Sequence, residues 1–126
     1  MQFKPPKNDD KYRWTNHVKG KMVYYGISES LIKRIVRFPK RKETGVAEKT
    51  IAVMQPTSNK KKPQEIWVMY QLRRPQGSEL RTYGKAVASE EKKTIISAWR
   101  YPGISPVGKK IPIPDEILQE LENLVE

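Results

Sequence analysis

The chain of 126 residues is long enough for one domain with a single modest core. It holds no cysteine, which excludes a disulfide framework or a thiolate metal site, and its one histidine would leave zinc to carboxylates for its remaining ligands. Lysine and arginine number 25 against 14 acids, a net charge of +11, so the chain repels itself when folded and attracts polyanions, nucleic acid first.

Residues 1–13 are polar, contain Pro5-Pro6 and read as a flexible N-terminal arm. From Trp14 to Tyr25 the apolar positions Trp14, Val18, Met22 and Tyr25 recur at helical spacing. Thr15 or Asn16 can cap the start, and Gly26 sits where a left-handed stop wants glycine. Ser28 caps a second helix, with Glu29 in its first turn and Leu31, Ile32, Ile35 and Val36 as its apolar stripe. Phe38-Pro39 ends it, because the residue before proline is pushed out of the helical region.

The middle reads as sheet. "KTIAVMQP" is a strand closed by Pro56, and "SNKKKPQ" is a basic loop. "EIWVMYQLRR" carries an unbroken apolar run from Ile66 to Tyr70, as expected for a strand covered on both faces. "PQGS" is a turn, "ELRTYGKAVA" a more exposed strand, and "KTIISAWRYPG" a central strand. Short connections favour an antiparallel meander. In "IPDEILQELENLVE" Pro114 fits the first helical position, and Ile117, Leu118, Leu121, Leu124 and Val125 form one stripe. This last segment, 112–126, has five acids and no base, so residues 1–111 hold all 25 bases against nine acids, a net of +16. The helix docks on the sheet, and its acidic face also suits the covering of basic surface when no ligand is bound. Helix, helix, three or four strands, helix predicts an α+β domain, two layers deep.

No glycine-rich phosphate loop occurs, and no Ser-His-Asp arrangement can be argued from spacing. The acid pairs Asp9-Asp10 and Glu90-Glu91 read as solvated surface. What remains is His17, in "WTNHVKGKMVYYGISESLIKRIVRFPKRK", among Lys19, Lys21, Lys33, Arg34, Arg37, Lys40, Arg41 and Lys42. RNA is cut without metal when a 2′-hydroxyl is deprotonated and attacks the neighbouring phosphate. That step needs a group titrating near neutrality and cations on the phosphorane. Histidine suits the first task and arginine the second. In the plainer reading His17 only makes hydrogen bonds within the fold, and the cations form a solvated face. Trp67 and Tyr70 read as core. Tyr24, Tyr83, Trp99 and Tyr101 can stack on bases. Arg100 and Tyr101 sit at the end of a central strand, where side chains are presented at a sheet rim, though sequence neighbours there point to opposite faces. No apolar run approaches the roughly 18 residues of a membrane span, and the N-terminus lacks a signal peptide's apolar region, so a soluble, cytoplasmic protein without membrane partners is expected.

"NHVKGKMVYYGISESLIKRIVRFP", followed by strands and closing on "KTIISAWR", resembles the small BrnT-like domains of the RelE/ParE toxin superfamily, closest to a sub-family of small single-domain proteins. His17 matches the family's first-helix histidine, Lys21 stands near its basic position, Gly26-Ile27-Ser28 matches the helix junction and Ser97-Ala98-Trp99-Arg100 the last strand's ending. The likeness, over roughly residues 14–101, implies two N-terminal helices packed on a curved antiparallel sheet of three or four strands; 14–111 reads as that domain and 112–126 as an acidic amphipathic helix added to it. It also implies metal-independent ribonuclease activity without a cofactor, and a cognate antitoxin as partner. On that reading His17, Arg100, Lys21 and Tyr101 are catalytic. Lys19, Lys33, Arg34, Arg37, Arg41, Arg73, Arg81 and Trp99 bind the RNA. Tyr24-Tyr25 replaces the arginine the family usually places before Gly-Ile-Ser, and two loops and the acidic helix exceed its norm. Two other readings stand beside this one: a non-catalytic nucleic-acid-binding domain using the same basic face, and a protein-interaction module whose C-terminal helix serves assembly.

Overall fold

Local signals translate directly into elements at most points of the chain. The computed structural model describes residues 4–45, 49–73 and 92–122. In chain order the elements are β1 (Tyr12–Trp14), α1 (Asn16–Tyr25), α2 (Glu29–Arg37), β2 (Arg41–Thr44), β3 (Thr50–Pro56), β4 (Gln64–Arg73), β5 (Lys92–Pro102) and α3 (Asp115–Glu122). The strand expected over 79–88 lies outside the described residues, as do Leu124 and Val125.

Thr15 caps α1 by accepting from the Val18 N–H, and Gly26 ends it at φ 65°, returning its N–H to the last turn. Ser28 caps α2 in the same way through Leu31. At α3 the Pro114 carbonyl accepts from the Leu118 N–H at 3.0 Å. Proline therefore stands at the cap, one place before the first helical position expected of it.

The strands form one sheet in the order β1-β5-β4-β3-β2. From β2 to β5 every pairing is antiparallel, and β1 joins β5 in parallel, so the sheet is mixed and has five strands. That corrects the expectation of three or four purely antiparallel strands. It also corrects the reading of residues 1–13 as wholly loose and of Trp14 as helical. The physical cause is local. Asn8 Oδ1 accepts the Trp14 N–H at 2.7 Å, and Asp9 Oδ1 accepts those of Lys11 and Tyr12 at 2.8 and 2.7 Å. With the backbone tied, Tyr12 and Trp14 bury their rings.

Both faces of the sheet are covered. Val18 and Met22 of α1 and Ile32, Ile35 and Val36 of α2 pack with Val53, Ile66, Val68, Tyr70, Ile95 and Ala98. The alternating residues Ala52, Met54, Trp67, Met69 and Trp99 pack on the other side with Ile111 and Ile117. The domain has three layers instead of two, which is what the unbroken Ile66–Tyr70 run demands of β4. Between Met69↔Ser97 and Tyr70↔Ile95 the register slips, leaving Ile96 as a bulge. Thr15 Oγ1 faces the Ile95 and Ile96 carbonyls at 3.2 and 3.0 Å, so α1 departs from the sheet at this bulge. Among the described residues no helix is long and apolar enough to cross a membrane.

Candidate functional site

His17 lies in the first turn of α1, beside the bulge. Its Nε2 is 2.9 Å from Ser97 Oγ, and its Nδ1 is 2.9 Å from Glu120 Oε2 on α3. A carboxylate can only accept, so Nδ1 carries the proton and Nε2 accepts from the serine hydroxyl. Burial holds the His17 pKa below the ordinary 6.5, and the nearby Lys21 ammonium works in the same direction, while Glu120 opposes both. Glu120 also pairs with Lys21 at 3.1 Å, and Glu116 accepts from the Tyr25 hydroxyl at 3.4 Å, whose pKa burial pushes up to about 12.

The order Ser97–His17–Glu120 has the connectivity of a hydrolytic triad. Its geometry closes it to substrate. Ser97 has no exposed surface, and the carboxylate that would orient the imidazole stands on α3, which packs over that face of the sheet. Moving α3 to uncover Ser97 would carry Glu120 away. The three side chains act as a polar clasp holding α3 to α1.

Arg100 does not join His17. Its guanidinium bonds the carbonyls of Tyr25 at 2.6 Å and Gly26 at 3.2 Å, and Gln64 Oε1 at 3.3 Å. It satisfies orphan carbonyls at the far end of α1, about 12 Å along the helix from His17 at 1.5 Å per residue. Trp99 is corrected from base-stacking residue to core. It is fully buried, lies parallel to Trp67 with centroids 6.2 Å apart, and donates Nε1–H to the Pro112 carbonyl. Tyr101 packs against the same cluster.

Arg41 is also part of the scaffold, because it bonds Glu43 and Ser105 and lies 5.2 Å over the Trp67 ring. Its neighbour Glu65, buried in the sheet, accepts from Ser105 and Trp67. Lys33 pairs with Glu29 at 2.8 Å and sits over the Tyr12 ring. Lys19 is half-buried on α1. Arg81, Tyr83 and the Arg73 side chain lie outside the described residues.

A second region differs in its ion pairing. β2 and β4 begin, and β3 and β5 end, at one end of the sheet. The last turn of α2 comes down there, since Gln55 Nε2 donates to the Phe38 carbonyl at 2.6 Å and the Lys40 N–H to Met54 at 2.8 Å. The link after β5 folds back onto the same end, where Gly103 N–H meets Pro63, and Arg41 meets the Lys109 carbonyl. Around this rim stand Arg34, Arg37 and Lys40 from α2 and its exit, Lys60, Lys61 and Lys62 from the β3–β4 loop, and Lys109 and Lys110 from the link. All eight are exposed. Among the described residues the ion pairs join His17 and Lys21 to Glu120, Lys33 to Glu29 and Arg41 to Glu43, so none of the eight has an acid partner.

Within this rim Phe38 exposes 70% of its surface. In the sequence Phe38 marks only the ending of α2. The available signal was an aromatic residue set between Arg34, Arg37 and Lys40 at a helix exit. No family model, curated protein or solved structure matches the chain.

Proposed function

We propose that this domain binds nucleic acid through the cationic rim at the α2 end of its sheet, without cleaving it. One observation carries the reading: eight exposed cations, contributed by three separate segments, stand at one end of the sheet, and among the described residues none of them is in an ion pair. Each phosphate they neutralise releases condensed counterions, which supplies affinity without sequence preference. Binding without cleavage is favoured because the one imidazole is buried and occupied by Ser97 and Glu120. Arg100, catalytic on the toxin-like reading, serves the other end of α1. Two N-terminal helices over a sheet are also what the resemblance to RelE/ParE-type toxins implies. We carry that likeness, and a cytoplasmic setting, as part of the proposal. Fold likeness is weak support for a reaction.

Fluorescence anisotropy of a labelled RNA against salt tests this. The expected result is a linear fall of log K with log salt, of slope about −0.7 to −0.9 per phosphate contacted, and RNA that stays intact in EDTA. Absence of binding at micromolar protein would overturn the reading. So would 2′,3′-cyclic phosphate ends that disappear in His17→Ala.

A further inference from the structure

From the placement of Phe38 we infer that the rim takes single-stranded nucleic acid, with one base stacked on the Phe38 ring and the flanking phosphates held by Arg34, Arg37 and Lys40. This rests on the binding proposed above and adds what form of the polymer fits.

The residue is held as a platform. Its N–H donates to the Arg34 carbonyl at 2.9 Å and its carbonyl accepts from Gln55 at 2.6 Å, while Pro39 follows with its own φ restricted. The backbone is thus fixed on both sides, yet the ring faces water. Ending a helix before proline requires no aromatic side chain, and among the described residues the ring belongs to neither core cluster and to no aromatic pair. Arg34 and Arg37, three residues apart, are neighbours on one helix surface, and Lys40 lies just beyond. An exposed planar apolar face in the same short segment as three exposed cations suits a polymer that alternates bases and phosphates. In a duplex the bases are already stacked and the face would find no partner; in a single strand they are free to stack. Ile104 and Val107 on the adjoining link are exposed as well, but their side chains are aliphatic and provide no stacking surface.

Phe38→Trp supplies a reporter, because Trp14, Trp67 and Trp99 are all buried. A single-stranded oligonucleotide should quench the new indole, and the matching duplex should not. In anisotropy the wild type should prefer the single strand. Phe38→Ala should weaken single-strand binding on the order of tenfold while leaving duplex binding and the salt slope unchanged. Removing an exposed ring leaves the core intact, and circular dichroism checks this. Equal affinity for both forms, unaltered by Phe38→Ala, would overturn this inference while leaving the binding proposal standing. Absence of binding to either form would overturn both. Association with phosphatidylserine vesicles in preference to either nucleic acid, lost in Phe38→Ala, would identify the ring as a membrane anchor and overturn the inference.

Discussion

His17 and Phe38 belong to the same basic stretch, and the fold treats their surroundings in opposite ways. Around His17 the acids of α3 meet most of the polar groups. Lys21 meets Glu120, the imidazole meets the same carboxylate, and Tyr25 meets Glu116, all supplied by α3. Around Phe38 the cations have no acid partner among the described residues, and an aromatic ring stands in water. The residue composition of the two regions is similar. What separates them is where the acidic C-terminal helix docks, which Ile117 and the apolar face of Trp67 and Trp99 decide. A titratable group in a basic segment is therefore a poor guide to a site until its partners are known.

The comparison breaks first at Trp99. If it is core, Trp99→Ala should cost about 3–5 kcal/mol in chemical denaturation, from lost burial and an unfilled cavity. A base-stacking Trp99 would instead lose affinity and keep its stability. Arg100→Ala comes next. It leaves the Tyr25 and Gly26 carbonyls without their donor, and stability should fall by about 1–3 kcal/mol with no change in oligonucleotide affinity beyond that of one lost charge. Loss of affinity at full stability would return Arg100 to the ligand.

The smallest effect is that of pH on the clasp. The folded His17 pKa lies below its unfolded 6.5, so the unfolded chain takes up the proton first as pH falls. The contribution is complete above the unfolded value. It declines as pH drops through it and stops changing below the folded value. Melting temperature should therefore fall by more between pH 7.5 and 5.5 in the wild type than in His17→Gln. Equal falls in the two proteins would mean that the imidazole is not held neutral.

Much of the fold was legible where the determining chemistry is local. Thr15, Ser28, Gly26 and Pro39 mark helix ends through their own backbone needs, and Ile66–Tyr70 announces a strand covered twice. β1 was not legible, because its formation depends on Asn8 and Asp9 side chains reaching backbone N–H groups in a segment whose composition reads as loose. The candidate site was less legible still. His17 and Lys21 were seen together, but their shared partner Glu120 stands at the opposite end of the chain. Nothing about Arg100 in sequence says that the carbonyls of Tyr25 and Gly26 end beneath it. Arg34 and Arg37 were visible as cations. That no acid among the described residues pairs with them was not, since pairing is a property of the surface.

The central claim, that the α2 end of the sheet is the polyanion-binding surface, is tested most directly by two charge-matched double reversals. Arg34→Glu/Arg37→Glu changes the rim. Lys11→Glu/Arg13→Glu makes the same change in net charge at exposed residues by the opposite end of the sheet, beside Asp9 and Asp10. Binding of a single-stranded RNA is then measured by anisotropy at about 0.1 M salt and across a salt series. The account predicts a loss of roughly a hundredfold and a salt slope shallower by about two for the rim pair, and a change of only a few-fold for the control pair. Equal losses in the two variants, or a loss confined to Lys11→Glu/Arg13→Glu, would contradict it.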